Sequence, residues 1–477
     1  MTAPPPARLG VLALVAACAA AAGCGGGGAN VGSGGPRYVA SFLPSDVRLD
    51  VATSPGAFAS RGPRIARDGN SVFVVWSDTS TVTSSIRFAH SSDGGASFDV
   101  RDVRVDHKPA ISTDSVRPRL AVVGDAVFVA WEDSRNGHTD VYFNRSLDGG
   151  RTWLDLDRRL DTDLPGAAAS VTPEIATDGT HVVVVWSDER ALRADIRANR
   201  SADGGVTWDA NDARLDTDAE GAAASIDPQI AMSGGSVVVV WADGRVQFTD
   251  IRMNRSDDFG QSWLASDVRL DSDPAGVAPS ASPRLAAQGS TFAVVFEDGR
   301  SGASDIRFNR SLDGGRNWLP QDVRLDTDAP GAGSSIAPAI AVAGNAIYAA
   351  WQDGRSGYVD VRFNRSLDGG ANWMPADTRL DGGASGVAPS QGVDVGASGS
   401  NVFVTWQDGR DGRADIYVQA SIDFGRTFMS RDTRVDTDAP GVGASTVPRL
   451  ACAGTSIAIA YEDERDGAAD VRLNRSP

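Results

Sequence analysis

From Phe42 onward the apolar positions of the chain fall in short runs, and the runs recur at a fixed interval. In one unit Pro283-Arg284-Leu285-Ala286 ends at a turn at Gly289, and Phe292-Ala293-Val294-Val295-Phe296 follows without a polar break. An unbroken run of that length suits a strand covered on both faces. Asp305-Ile306-Arg307-Phe308-Asn309-Arg310-Ser311 then alternates apolar and polar, as a half-covered strand does. After a second turn, Asp322-Val323-Arg324-Leu325-Asp326 alternates again. Each unit therefore predicts four short strands and no helix.

Three markers fix the period. Ser-x-Asp-x-Gly-x-x-Trp/Phe starts at Ser91, Ser146, Ser201, Ser256, Ser311, Ser366 and Ser421, each 55 residues after the last. An aromatic two residues before an aspartate closes the apolar run at Trp76, Trp131, Trp186, Trp241, Phe296, Trp351, Trp406 and Tyr461. Asp-x-Arg-Leu/Val-Asp begins at Asp46, Asp102, Asp157, Asp212, Asp267, Asp322, Asp377 and Asp432. All 11 tryptophans lie in the first two markers, which points to packing rather than chemistry. Four-stranded units at this period are propeller blades.

The ends set the blade count. The last unit stops at Asn474-Arg475-Ser476-Pro477 with three strands, and Asp46-Val47-Arg48-Leu49-Asp50 supplies a fourth from the other end of the chain. Pairing the two would close the ring and remove its exposed edges. The expected fold is all-β: a single eight-bladed β-propeller of four-stranded blades, closed by an N-terminal strand that completes the C-terminal blade.

The first marker explains itself locally. In Ser311-Leu312-Asp313-Gly314-Gly315-Arg316-Asn317-Trp318 the aspartate can accept hydrogen bonds from its own turn, and Gly315 can adopt a positive φ. Trp318 is expected to plug the turn into its own blade. Phe259 and Phe424 replace the first glycine in two copies, so only the second glycine is required.

The N-terminus follows another pattern. Arg8 precedes an apolar run from Leu9 to Ala22, too short for a transmembrane helix and of signal-peptide length. Ala21-Ala22-Gly23-Cys24 resembles a lipobox, the site at which bacterial lipoproteins are cleaved and acylated, and Gly25-Gly26-Gly27-Gly28 follows as a tether. Leu14-Val15-Ala16-Ala17-Cys18 is a second candidate. Cys24 is taken as the lipidated residue. The expected divisions are a signal peptide over 1–23, a Gly-rich tether over 24–40 and the propeller over 41–477. The expected location is the bacterial cell envelope, with membrane contact through the lipid alone. Acylation of Cys24 would leave Cys452 as the only other cysteine of the mature chain, with no intrachain disulfide.

Composition narrows the partners. The formal charge is −17, from 62 acidic and 45 basic residues, which argues against nucleic acid. Four scattered histidines, His90, His107, His138 and His181, do not make a zinc site. No cofactor or metal is expected, and a monomer is.

Charge does recur with the blades. An aspartate follows the closing aromatic as Asp78, Asp133, Asp188, Asp243, Asp298, Asp353, Asp408 and Asp463. In all but the first, an arginine stands two residues on: Arg135, Arg190, Arg245, Arg300, Arg355, Arg410 and Arg465. The same seven units open strand three with Asp140, Asp195, Asp250, Asp305, Asp360, Asp415 and Asp470. These sets form either a multivalent face for a glycan or protein, or pins for their own hairpins. Asp-x-Asp-x-x-Gly at Asp161, Asp216, Asp271, Asp326 and Asp436 looks like the start of a calcium loop, but the later ligands are missing. Turn chemistry is the preferred reading, with calcium the alternative. The pattern breaks between the first two blades, where His107, the single lysine Lys108, Asp114 and His138 make a candidate asymmetric site.

At the Ser-x-Asp-x-Gly turns the chain resembles the sialidase and BNR-repeat superfamily of Asp-box propellers. The resemblance implies a propeller whose functional face carries the loops from strand two to three and from strand four to the next blade. It also raises exo-sialidase-like glycoside hydrolysis, which in that family uses three arginines and a tyrosine–glutamate pair. The chain departs from that pattern. Pro63-Arg64-Ile65-Ala66 lacks the flanking aromatic and proline of the family's arginine motif, and Glu462 directly follows Tyr461, which on a strand sends the two to opposite faces. The expected function is a non-catalytic scaffold binding glycan or protein, with glycoside hydrolysis as the alternative.

Overall fold

A computed structural model describes residues 41–51, 54–79, 83–108 and 113–477 of the chain. The expected signal peptide, Cys24 and the tether lie outside the described residues, as do Ser80 and residues 109–112 of the irregular loop.

Each 55-residue unit folds into a four-stranded antiparallel sheet, and there are eight of them. In the fifth blade the strands are Ser280–Gln288, Thr291–Asp298, Asp305–Ser311 and Val323–Arg324. Closure occurs as expected: Val47–Arg48 pairs antiparallel with Asp470–Arg475, Val47 opposite Leu473 and Arg48 opposite Arg472. The protein is an eight-bladed β-propeller.

Packing explains the unbroken apolar run. Side chains alternate across a strand, so Phe292, Val294 and Phe296 pack against blade four while Ala293 and Val295 pack against blade six. The second strand of a blade is thus core on both faces, and the hydrophobic core lies between neighbouring blades. Six of the closing aromatics are fully buried tryptophans. Asn309, buried in the third strand of blade five, donates across the interface to Leu270 O at 2.8 Å, and Asn199, Asn254, Asn364 and Asn474 repeat the stitch.

The Ser-x-Asp turns also act between blades. Trp153 stacks edge-on against Phe88 of the preceding blade with ring centroids 5.2 Å apart, and Trp208 meets Phe143 in the same way at 4.8 Å. These aromatics therefore brace the neighbouring blade as well as their own turn. The requirement for the second glycine has a different cause from the one expected. Both turn positions have positive φ, since Phe259 sits at 59° and Phe424 at 63° where other copies have glycine. The second position is the more tightly enclosed: a Cβ on Gly150 would lie 2.0 Å from Phe88 Cε1.

Two strand lengths differ from expectation. First strands are longer, because each carries a bulge where the register shifts, as between Ala281 and Arg284. Fourth strands are mostly two residues long, because the aspartates flanking them bond through their side chains instead. Cys452, fully buried in blade eight, is disulfide-bonded, contrary to the expectation of no such bond. Its partner lies outside the described residues.

Candidate functional site

The repeated Asp–Arg sets are engaged within the propeller. Asp133, with no exposed surface, accepts from Ser115 Oγ at 2.7 Å and Trp131 Nε1 at 3.1 Å. Arg135 grips it with Nε at 2.9 Å and one terminal nitrogen at 2.8 Å, then reaches Asp157 beside strand four at 2.7 Å. Asp188–Arg190–Asp212, Asp243–Arg245–Asp267, Asp298–Arg300–Asp322, Asp353–Arg355–Asp377 and Asp408–Arg410–Asp432 repeat this clasp. In blade eight Asp463–Arg465 clasps Asp46 from the N-terminal strand. Each arginine joins the strand two–three loop to the strand four end of its own blade. Burial and paired charge raise an arginine's cost of release, so these groups hold hairpins rather than face a ligand.

The irregular sector does not converge either. Lys108 is buried and donates to Ser84 O at 2.6 Å and Thr113 O at 2.5 Å, with Asp106 3.6 Å away. Asp114 accepts from Ser84 N at 2.8 Å. His107 is half-exposed, with Nδ1 3.5 Å from Asp157 and 3.1 Å from Asn144 Nδ2. His138 is an exposed loop residue whose backbone N–H donates to Gly166 O at 3.4 Å. Tyr461 and Glu462 are separated as their strand positions require. The tyrosine is buried and donates to Asp46 Oδ2 at 2.7 Å, while Glu462 accepts from Gly62 N of blade one at 2.8 Å.

An asymmetric cluster does exist, at the centre of the ring. The eight first strands enclose a channel of about 490 Å³. In each strand a bulge residue of positive φ (Arg117 at 53°, Thr172 at 53°, Ser282 at 52°) stands two positions before a channel-lining residue. Those lining positions are Arg64, Arg119, Glu174, Gln229, Arg284, Ala339, Asp394 and Arg449. Around an acidic protein they set four guanidinium groups against two carboxylates.

The pairing leaves positive charge over. Arg119 Nε donates to Glu174 Oε1 at 2.7 Å, and Gln229 reaches the same oxygen at 3.4 Å. Asp394 accepts from Val395 N and Leu450 N, both at 3.0 Å, so its two oxygens are held by backbone. Among the described residues no carboxylate lies within ion-pair distance of Arg64, Arg284 or Arg449; each donates only to the carbonyl of the proline before it. Protein atoms surround Arg64 except where it meets the channel. Burial first, then the charges of Arg119 and Arg449, push it well below the ordinary guanidinium value. Burial lowers Arg449 as well, against the charge of Asp394. Burial raises the Asp394 carboxyl, against the pull of Arg449.

The sequence held one signal for this cluster. The residue after the first-strand proline (Val393 in blade seven) varies among Arg, Glu, Gln, Ala and Asp, while the residue that follows it is aliphatic in all eight blades.

The Asp-x-Asp-x-x-Gly loops gain a member that spacing did not show. The strand-three aspartate folds back onto each, grouping Asp140 with Asp161 and Asp163, and likewise Asp195, Asp250, Asp305 and Asp415 with their loops. An arginine from strand four enters each group, as Arg269 does at 2.6 Å from both Asp271 and Asp273.

Comparisons with known proteins follow from this geometry only as far as the fold. No protein-family model and no curated protein matches the chain. Among solved structures, the polysaccharide lyase Uly1 aligns at 13% identity over 75% of this chain and 89% of its own, with a TM-score of 0.48. The NanB sialidase of Streptococcus pneumoniae aligns at 11% identity over 85% and 83%, with a TM-score of 0.41. The Penicillium chrysogenum alpha-L-arabinanase aligns at 15% identity over 64% and 92%, with a TM-score of 0.39. The fold assignment itself rests on the strand pairing.

Proposed function

We propose that the protein is an exported, lipid-anchored propeller that binds an acidic saccharide in its central channel. One observation carries this reading: Arg64, Arg284 and Arg449 face the channel without a carboxylate partner. A guanidinium is matched to carboxylate and sulfate by its paired donors, and it is worth most where water is excluded. The volume suits about one or two sugar rings. Thr172, Glu174, Gln229 and Ser282 along the lining offer partners for hydroxyl groups. The binding that sequence repetition suggested for the outer Asp–Arg sets is placed by this reading at the inner ring of positions, whose residues vary among the blades.

Glycoside hydrolysis at the same place is the second reading, favoured by the raised carboxyl of Asp394 on a channel that also holds Glu174. Two carboxyl groups facing one channel are what such chemistry needs. A glycan array read beside a panel of fluorogenic glycosides, including sialosides, separates the two. Retention of acidic glycans without turnover supports the scaffold. Turnover abolished by Asp394→Asn in a folded protein replaces it with the hydrolase. Retention of neutral glycans alone contradicts both.

A further inference from the structure

We propose that the loop clusters of blades three, four and five are calcium sites, the best formed being Asp250, Asp271 and Asp273 in blade four. All three residues are buried, and one ligand atom from each lies within 4.8 Å of the others. Calcium binds carboxylate oxygens at about 2.3–2.6 Å, so oxygens sharing one ion lie up to about 5 Å apart.

The second observation is which oxygens remain unused. Arg269 bonds Asp271 Oδ2 and Asp273 Oδ1, and Gly276 N bonds Asp250 Oδ1. Asp250 Oδ2 and Asp273 Oδ2 are buried with no hydrogen-bond partner. The same two positions are left over in blade five, as Asp305 Oδ2 and Asp328 Oδ2. In blade three Asp195 Oδ2, Asp216 Oδ1 and Asp218 Oδ1 have no hydrogen-bond partner, although the Arg214 guanidinium stands 3.8 Å from Asp216 Oδ1 and 3.6 Å from Asp218 Oδ1. A buried carboxylate oxygen without a donor is costly, and its recurrence in three successive blades marks a place made for a ligand. Three carboxylates face Arg269 and, 3.7 Å from Asp273, Arg300 of the next blade, which leaves a net negative charge for a cation. The hard, all-oxygen donor set selects calcium over a transition metal.

Blade one shows what the place accepts. There Ser85 replaces the strand-three aspartate and Lys108 replaces the third carboxylate, and the lysine ammonium stands 3.6 Å from Asp106. A cation of the chain's own fills the position where the carboxylate count falls. Blade six, with Gly383 at the third position, lacks the site and serves as the internal control.

The test is calcium titration of the full chain by isothermal calorimetry after chelator treatment, with melting followed in parallel. The expected result is about three equivalents bound and a melting temperature raised by calcium. Asp273→Asn should remove about one equivalent, and Asp381→Asn in blade six none. Where Asp273→Asn fails to fold, Asp218→Asn in the less buried cluster of blade three reads the same loss. No calcium binding at millimolar concentration, or an unchanged count in these variants, overturns the proposal.

Discussion

Arg465 places a terminal nitrogen 2.7 Å from Asp46 Oδ2, joining residues 419 positions apart in the chain. In the other clasps the same contact spans 22 residues. Ring closure therefore reuses, between the two ends, the bond that holds each blade's own hairpin. Burial opposes ionisation of Asp46, but the Tyr461 hydroxyl and the charges of Arg465 and Arg472 hold it below the usual carboxylate range.

Replacing Asp46 with alanine takes one of two aspartate partners from Arg465, one partner from Arg472, and the acceptor of the buried Tyr461 hydroxyl. Breaking a buried ion pair from one side costs about 3–5 kcal/mol. The urea midpoint of Asp46→Ala should fall accordingly, and removal of residues 41–50 should expose a strand edge and give an aggregating product. A monomeric truncated protein with an unchanged melting temperature contradicts the closure.

The turn glycines allow a cleaner comparison. Gly150 and Gly69 both have positive φ, 85° and 56°, so alanine is strained at either. Only at Gly150 does the new methyl meet Phe88, whereas nothing lies within 4 Å at Gly69. Gly150→Ala should lose about 1–3 kcal/mol more than Gly69→Ala in chemical denaturation, the usual range for overpacking.

Acid should weaken the same turns. Slight desolvation works against ionisation of Asp148, but the Thr152 hydroxyl and backbone N–H, with Ser146 Oγ, hold it at about 2. Asp93, Asp203, Asp258 and Asp368 are also held at about 2. A depressed carboxylate contributes stability above its unfolded value of about 4, and the contribution is lost as pH falls through the folded value. The denaturation midpoint should thus decline between about pH 4 and 2. The deficit of Asp148→Asn, present at pH 7, should shrink over that window.

Lipid attachment at Cys24 is tested by fractionation. Cys24→Ser should move the protein from membranes to the soluble or secreted fraction, and Cys18→Ser should not. A fatty-acid label that follows Cys18 instead would shift the mature start upstream.

The blades were readable in sequence because their rule is local. Asp305–Ser311 alternates apolar and polar, and the strand spans that stretch unchanged. Closure was readable too, since a three-strand end and a one-strand beginning have one way to combine. For the outer arginines the pinning of hairpins was one sequence reading, but the second partner was not legible. Repetition announced Arg135 and its equivalents but not that each is spent on two aspartates, which depends on where strand four returns. The channel cluster was hidden for a further reason. Arg64, Glu174 and Asp394 share one repeat position with Ala339, so no run or motif marks them. Their common property appears only when eight distant strands converge on one axis.

The central claim is that this axis binds acidic sugar through its unpaired arginines. The direct measurement is calorimetric titration with a hexuronic acid disaccharide and its neutral hexose counterpart. The account predicts binding of the acidic sugar alone, weakened at least about tenfold in Arg64→Ala and in Arg449→Ala, since a charged hydrogen bond is worth about 1.5–3 kcal/mol. Arg300→Ala, outside the channel, should bind as the parent protein does wherever it folds. Equal affinity for the neutral sugar, or binding untouched by loss of Arg64 and Arg449, would contradict it.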